Sequence, residues 1–150
     1  MLTREAERLE DRVAELESAL AEHPRQVTEV AEDVNAATPR LARIEISRRS
    51  HFADTDDDGV PDRVRLYVET LDGAGRFLQV AGTCAARVLR VVGDADPLEL
   101  GSVELAPAQL RAAYRSAFTG THYTIEFDIA VAGDDETLLA AVTIVDGWTG

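Results

Sequence analysis

The spacing of apolar residues changes once along this chain, near residue 38, and that change restricts the fold to a helix followed by strands. Leu2, Ala6, Leu9, Val13, Leu16, Leu20, His23, Val27, Val30 and Val34 recur in steps of four and three, the a/d pattern of a helix that meets another apolar stripe. Glu5, Arg8, Asp11, Arg12, Glu15 and Glu17 fall between them, so the other faces are solvated and can form short-range ion pairs. Pro24 lacks a donor and clashes with the carbonyl four residues earlier, which predicts that the helix stops near Glu22 or restarts with Pro24 in a first turn. Asn35 to Arg40 form the break. The chain therefore divides into a helical stem over 1–38 and a second domain over 39–150.

From there the period is two. Ala42, Ile44 and Ile46 alternate with Arg43, Glu45 and Ser47; Val64, Leu66, Val68 and Thr70 alternate with Arg65, Tyr67 and Glu69; Tyr123, Ile125, Phe127 and Ile129 alternate with Thr124, Glu126 and Asp128. These are half-buried strands. Weaker strand signals cover Phe77–Val80, Thr83–Val92, Leu98–Leu105 and Thr137–Val145, bounded by turn clusters such as Gly93-Asp94-Ala95-Asp96-Pro97 and Gly133-Asp134-Asp135. In the Leu98 run the apolar parity changes across Gly101-Ser102, which calls for a bulge if both halves are to face one core. Pro107, the stripe Leu110, Ala113, Tyr114, Ala117, Phe118, and Gly120 predict one short helix among the strands, lying across an open end of the fold. Many short strands with few crossover helices imply a mainly β domain of two antiparallel sheets. The run from Val64 through Leu71-Asp72-Gly73-Ala74-Gly75 to Gly82 resembles bacterial immunoglobulin-like domains, which implies an immunoglobulin-like β-sandwich with one inserted helix.

Charge and cysteine content narrow the function. The 150 residues carry a formal net charge of −13 and no lysine, a field that repels a phosphate backbone and argues against nucleic acid as a partner. The lysine-free, acidic composition fits either codon bias or adaptation to high salt. No uncharged stretch approaches the roughly 18 residues of a membrane span, and Met1 leads into charged heptads with no apolar signal core. The lone Cys84 cannot form an intrachain disulfide or a zinc ribbon; it sits in an alternating run with Ala86 and Val88, where a small buried hydrophobe is the expected role.

The segment Asp54-Thr55-Asp56-Asp57-Asp58-Gly59-Val60-Pro61-Asp62 is the most informative. Carboxylates at alternate positions before a glycine resemble the DxDxDG calcium loop of EF-hands, dockerins and thrombospondin type 3 repeats. That resemblance implies Ca2+ held by side-chain oxygens of Asp54, Asp56 and Asp58, by the carbonyl of Val60, and by Asp62 directly or through water, with Gly59 at the sharp turn. Arg65 stands where an EF-hand places its bidentate Glu, so water or a distant acid, among Glu45, Glu69 and Asp72, has to complete the shell. Pro61 and the strand that follows argue against a helix leaving the loop. Without the bidentate ligand, affinity is expected to be weak, with Kd roughly 10⁻⁴ to 10⁻³ M. An occupied site then implies the cell envelope or the outside; if Met1 is the true start, the cytoplasm is implied instead. The arrangement also resembles bacterial envelope proteins with a coiled-coil stem ahead of a β domain.

No phosphate cradle, HExxH or GxSxG pattern is present. His23, beside Pro24, suits packing or capping. His51, next to Ser50, and His122, with Cys84 or Asp128, are the remaining candidates for a small hydrolase. Tyr67 falls on the polar parity of its strand, Trp148 is expected to close a core edge, and Arg48, Arg49, Arg63 and Arg65 flank and neutralise the acidic loop. The functional expectation is a non-catalytic, calcium-stabilised structural or interaction module, homo-oligomerised through its N-terminal helix and open to a protein or polysaccharide partner. A metal-free cytosolic protein-binding adaptor is the alternative.

Overall fold

A computed structural model describes residues 2–130 and 137–148, with the backbone alone for residues 2 and 23–28. Two compact units divide at Thr38 and Pro39. The first is a single helix, α1 (Leu2–Ala37), about 54 Å long at 1.5 Å per residue. It does not break at Pro24. An interior proline costs roughly 3 kcal/mol locally, and the alanine-, leucine- and glutamate-rich turns before it, with the alanines and glutamates after it, offset that cost. The seam side chains Leu9, Val13, Leu16, Leu20, Val30 and Val34 are all more than half exposed, so nothing in this unit covers the stripe; those of His23 and Val27 lie outside the described set. Arg12 and Glu15 pair at 2.9 Å. The helix ends where Pro39 disfavours α geometry at Thr38, whose hydroxyl donates to the Val34 carbonyl at 2.7 Å.

The second unit is mainly β, with eight strands among the described residues: β1 (Leu41–Ile46), β2 (His51–Ala53), β3 (Arg63–Asp72), β4 (Gly82–Val91), β5 (Leu98–Leu105), β6 (Tyr114–Ala117), β7 (Gly120–Asp128) and β8 (Thr137–Asp146). All pairings are antiparallel. One sheet runs β1-β3-β7-β6, with β2 beside β3; the other runs β5-β4-β8. The alternating residues supply one shared core: Val64, Leu66 and Val68 of β3 and Tyr123, Ile125 and Phe127 of β7 meet Cys84, Ala86 and Val88 of β4. Leu100 is the extra residue of a bulge in β5, because Gly101 pairs with Val88 while Glu99 pairs with Leu89. This restores Leu100 and Val103 to one face, and the Leu100 carbonyl accepts the Ala130 N–H at 2.7 Å, linking the two sheets. Tyr123 is fully buried and its hydroxyl accepts the Val80 N–H at 2.8 Å. Gly82 is required by close approach: a Cβ there would meet the backbone of Val145 and Asp146.

Several elements differ from the sequence reading. The inserted helix, α2 (Pro107–Ala113), is half the expected length, and Tyr114–Ala117 leaves it to pair with β7 as β6. Four residue pairs with an edge strand compete with one more helical turn, and Phe118, assigned to the helix stripe, is wholly exposed. Leu110 is completely buried, and α2 packs on β4, β5 and β7, strands of both sheets. Phe77–Val80 is not a ladder strand; it is tied to the end of β3 by a single bridge from Phe77 to Leu71 and by Leu78 N–H on the Thr70 carbonyl at 2.8 Å. β2 lacks the length to show a period. Trp148 closes no core edge, being 86% exposed. The turn at Gly133-Asp134-Asp135 lies outside the described residues.

Candidate metal centre

The acidic loop spans residues 54–62 between β2 and β3. Its base is closed by the Asp62 N–H on the Ala53 carbonyl at 3.0 Å, and the Asp62 carbonyl accepts the Ile129 N–H at 2.9 Å, which anchors the loop beside the end of β7. Within it each alternate carboxylate captures backbone two residues on. Asp54 accepts the N–H of Asp56 at 3.3 Å and of Gly59 at 2.7 Å, Asp56 that of Asp58 at 3.3 Å, and Asp58 that of Val60 at 2.8 Å. These successive Asx turns curl the chain inward. Asp57 (φ 58°) and Gly59 (φ 86°) take the left-handed conformations that the curl needs, one by a residue that tolerates it and one by glycine.

One carboxylate oxygen each from Asp54, Asp56 and Asp58 therefore lies within 4.8 Å of the others. The arrangement could hold a metal ion. Its electrostatics are those of crowded acids: the backbone N–H of Gly59 holds the Asp54 carboxyl below its ordinary range, whereas the Asp56 carboxyl is raised, chiefly by its hydrogen bond to Asp54. Like charge crowded in this way is what a bound cation relieves.

The remaining residues of the loop make hydrogen bonds of their own. The Asp62 carboxylate accepts the Thr55 N–H at 3.0 Å and its hydroxyl at 2.5 Å, so it braces the loop from its far strand. Val60 follows Asp58 with its N–H on that carboxylate. None of the distant acids is available to complete a shell. Glu69 and Asp72 lie about 20 and 30 Å along β3 from its loop end at 3.3 Å per residue, Glu45 pairs with Arg43 at 2.9 Å, and Asp72 caps its own turn by accepting the N–H groups of Ala74 and Arg76, both at 2.9 Å. Arg63 and Arg65 do not neutralise the loop; they pair across the sheet with Asp128, at 2.9 Å, and Glu126.

Of the hydrolase candidates, Cys84 and His122 lie on opposite sides of the sheets. Cys84 faces the core, 2% exposed, and burial pushes its thiol up to about 11, whereas His122 alternates with the core residue Tyr123 and so lies on the opposite face of β7. There a cluster forms that sequence reasoning missed. Tyr67 meets the His122 ring edge-on at 5.0 Å and the His51 ring at 6.2 Å, and the Arg49 guanidinium lies 5.8 Å from the Tyr67 ring centre. His122 is 8% exposed and its Nδ1 has no hydrogen-bond partner; His51 Nδ1 bonds the Arg49 carbonyl at 2.9 Å. Parity already put Tyr67 on an outward face, but only the β3–β7 register, Tyr67 opposite Thr124, makes His122 its diagonal neighbour.

Compared with known proteins, the chain matches no family model, no curated protein and no solved structure.

Proposed function

We propose that this chain is a non-catalytic structural or interaction module whose β unit is stabilised by Ca2+ and whose copies associate through α1. The observation that carries the reading is the convergence of Asp54, Asp56 and Asp58 on one centre, within 4.8 Å. Calcium is the cation such oxygens suit, since it takes six to eight oxygen ligands in flexible geometry; three carboxylates and the Val60 carbonyl leave the remainder to water. A site this open belongs with the weak modules, Kd roughly 10⁻⁴ to 10⁻³ M, and fills only where free calcium is millimolar, as in the cell envelope or outside the cell. The uncovered seam of α1 supports the association, because a stripe of six apolar residues, each more than half exposed, at a/d spacing is matched by a second such stripe. The strand order β1-β3-β7-β6 supports an immunoglobulin-like sandwich, a fold that sets its first, second, fifth and fourth principal strands side by side in this way.

Melting with calcium and with chelator tests the reading. Free ion at ten to a hundred times Kd adds about 1 to 3 kcal/mol, so chelation lowers Tm and Asp56→Asn removes the difference. An unchanged Tm, with no heat of calcium binding, leaves the metal-free adaptor, for which the backbone hydrogen bonds already closing the loop would suffice.

A further inference from the structure

Carboxylates outnumber arginines in the β unit, and on the outer face of its larger sheet Arg43, Arg63 and Arg65 are taken by Glu45, Asp128 and Glu126. The turn between β1 and β2 is an exception. Ile46 to Ala53 holds Arg48, Arg49 and His51 without an acid, and Leu105 to Ile125, which supplies β6 and the first half of β7, also holds none. The two segments meet, because an Arg49 N–H donates to the Thr119 carbonyl at 3.3 Å. Neither Arg48 nor Arg49 has a carboxylate partner among the described residues. Glu69, the acid of this face left without an ion pair, stands two residues along β3 from Tyr67, about 7 Å.

The polar groups of this corner are held in place yet incompletely used. The Arg49 guanidinium is stacked on Tyr67 and pinned by Thr119, so a planar fork is oriented while its other N–H groups have no partner among the described residues. The Arg49 carbonyl lies 2.9 Å from His51 Nδ1. A carbonyl only accepts, so Nδ1 carries the proton and Nε2 is the atom left for a ligand, as a donor once the ring is protonated. Beside the same Tyr67 ring, His122 is buried with Nδ1 unpartnered, and a buried polar atom without a protein partner marks a place that a ligand or ion completes.

We propose that this corner binds a small ligand through a single oxyanion, carboxylate or phosphate, gripped by Arg49 and His51 beside the Tyr67 ring. Charge selects the class: two arginines without carboxylate partners and two imidazoles share the corner with one unpaired acid. A stacked guanidinium offers parallel donors to an oxyanion, and such charge-assisted bonds are roughly twice as strong as neutral ones. The surroundings limit the size of the ligand. The net charge of −13 repels a polyanion along its length, and the acidic loop begins at Asp54, three residues beyond His51, about 10 Å. A single group seated at Arg49 is screened from that loop, since the Debye length is about 8 Å at 0.15 M salt.

Imidazole ¹⁵N NMR of the full chain tests it, with inorganic phosphate and acetate as probes. Calcium-free buffer at about 0.15 M salt keeps the outcome independent of the metal reading. The His51 signal is expected to shift saturably with at least one probe, and the probe that saturates names the source, a phosphate or a carboxylate ligand. Arg49→Gln should weaken binding at least tenfold, whereas Arg87→Gln, on the other sheet, should leave it within twofold. Should Arg49→Gln not keep the parent melting transition, Arg49→Lys takes its place: it retains the charge but not the planar fork, and should weaken binding severalfold. No saturable shift with either probe, or binding undiminished in both Arg49 variants, removes the site. Tighter binding of a polyuronate than of either small probe also overturns the proposal, because the corner would then serve a polymer.

Discussion

Tyr123 shows how a single atom is committed by the fold. Alternation on β7 placed its ring in the core, but alternation says nothing about where the hydroxyl goes; that needs Val80, 43 residues away, to arrive with its N–H free. Tyr123→Phe leaves that buried N–H without a partner and is expected to cost about 1 to 3 kcal/mol, read as a lower urea midpoint at constant m. Asp72 makes a similar commitment at a turn. Hydrogen bonds from the Arg76 backbone first, and then from Ala74, hold its carboxyl below 3.8 despite some burial. A depressed carboxyl stabilises the fold above its unfolded value and loses that contribution as pH falls through the folded one. Asp72→Asn should therefore lower Tm at pH 7 and narrow its gap from the parent as the pH drops below 3.8. Asp56 has the opposite sign: raised by Asp54, it favours the fold at low pH and opposes it once pH climbs through its folded value. The proposed calcium would reverse that penalty, so binding at a pH where Asp56 is partly protonated should release a proton, seen as a calorimetric heat that varies with buffer ionisation enthalpy.

Among the elements, those with a long, unambiguous period were legible: β3 and β7 bury the alternating residues assigned to them, and the parity change in β5 is a bulge one residue ahead of Gly101-Ser102. The misread elements are those in which a local signal met a tertiary one. Tyr114 and Ala117 continue the 3.6-residue stripe of α2, yet the free edge of β7 offers them a ladder, and no sequence window contains that competition. The proline in α1 is the reverse case, a strong local stop overridden by helix formers on both sides. The acidic loop was legible because its geometry is local: Asp54, Asp56 and Asp58 each bond backbone within five residues. Asp62 was not, since its partner Thr55 is reached only when β2 and β3 pair. Glycine at position 82 likewise reads as a turn residue in sequence but serves the crowded approach of β4 to β8. Gly82→Ala should force those strands apart and cost about 1 to 3 kcal/mol, the range for overpacking, measured by thermal unfolding.

At the scale of the whole molecule, charge opposes both association and folding. Between Leu2 and Ala37 ten acidic residues face four arginines, so aligning two copies of α1 concentrates like charge along the seam's flanks, where the Arg12–Glu15 pair returns little because both groups are two-thirds exposed. Screening decides the balance. At 0.1 M salt the Debye length of about 10 Å lets neighbouring helices feel each other's charge; at 1 M it is about 3 Å, and the apolar stripe acts almost alone. An oligomer held by ion pairs would loosen with salt, whereas the association proposed for α1 should tighten, and the self-repulsion of the folded chain should relax with it. With chelator present to silence the loop, raising sodium chloride from 0.1 to 1 M is expected to increase both Tm and the oligomeric fraction measured by sedimentation, while the chain lacking residues 1–38 stays monomeric at micromolar concentration and shows only the Tm gain. A salt-induced loss of oligomer would mean that charge pairs, not the stripe of Leu9, Leu16 and Leu20, hold the helices, and no change in Tm would mean that the acidic composition does nothing for stability in brine.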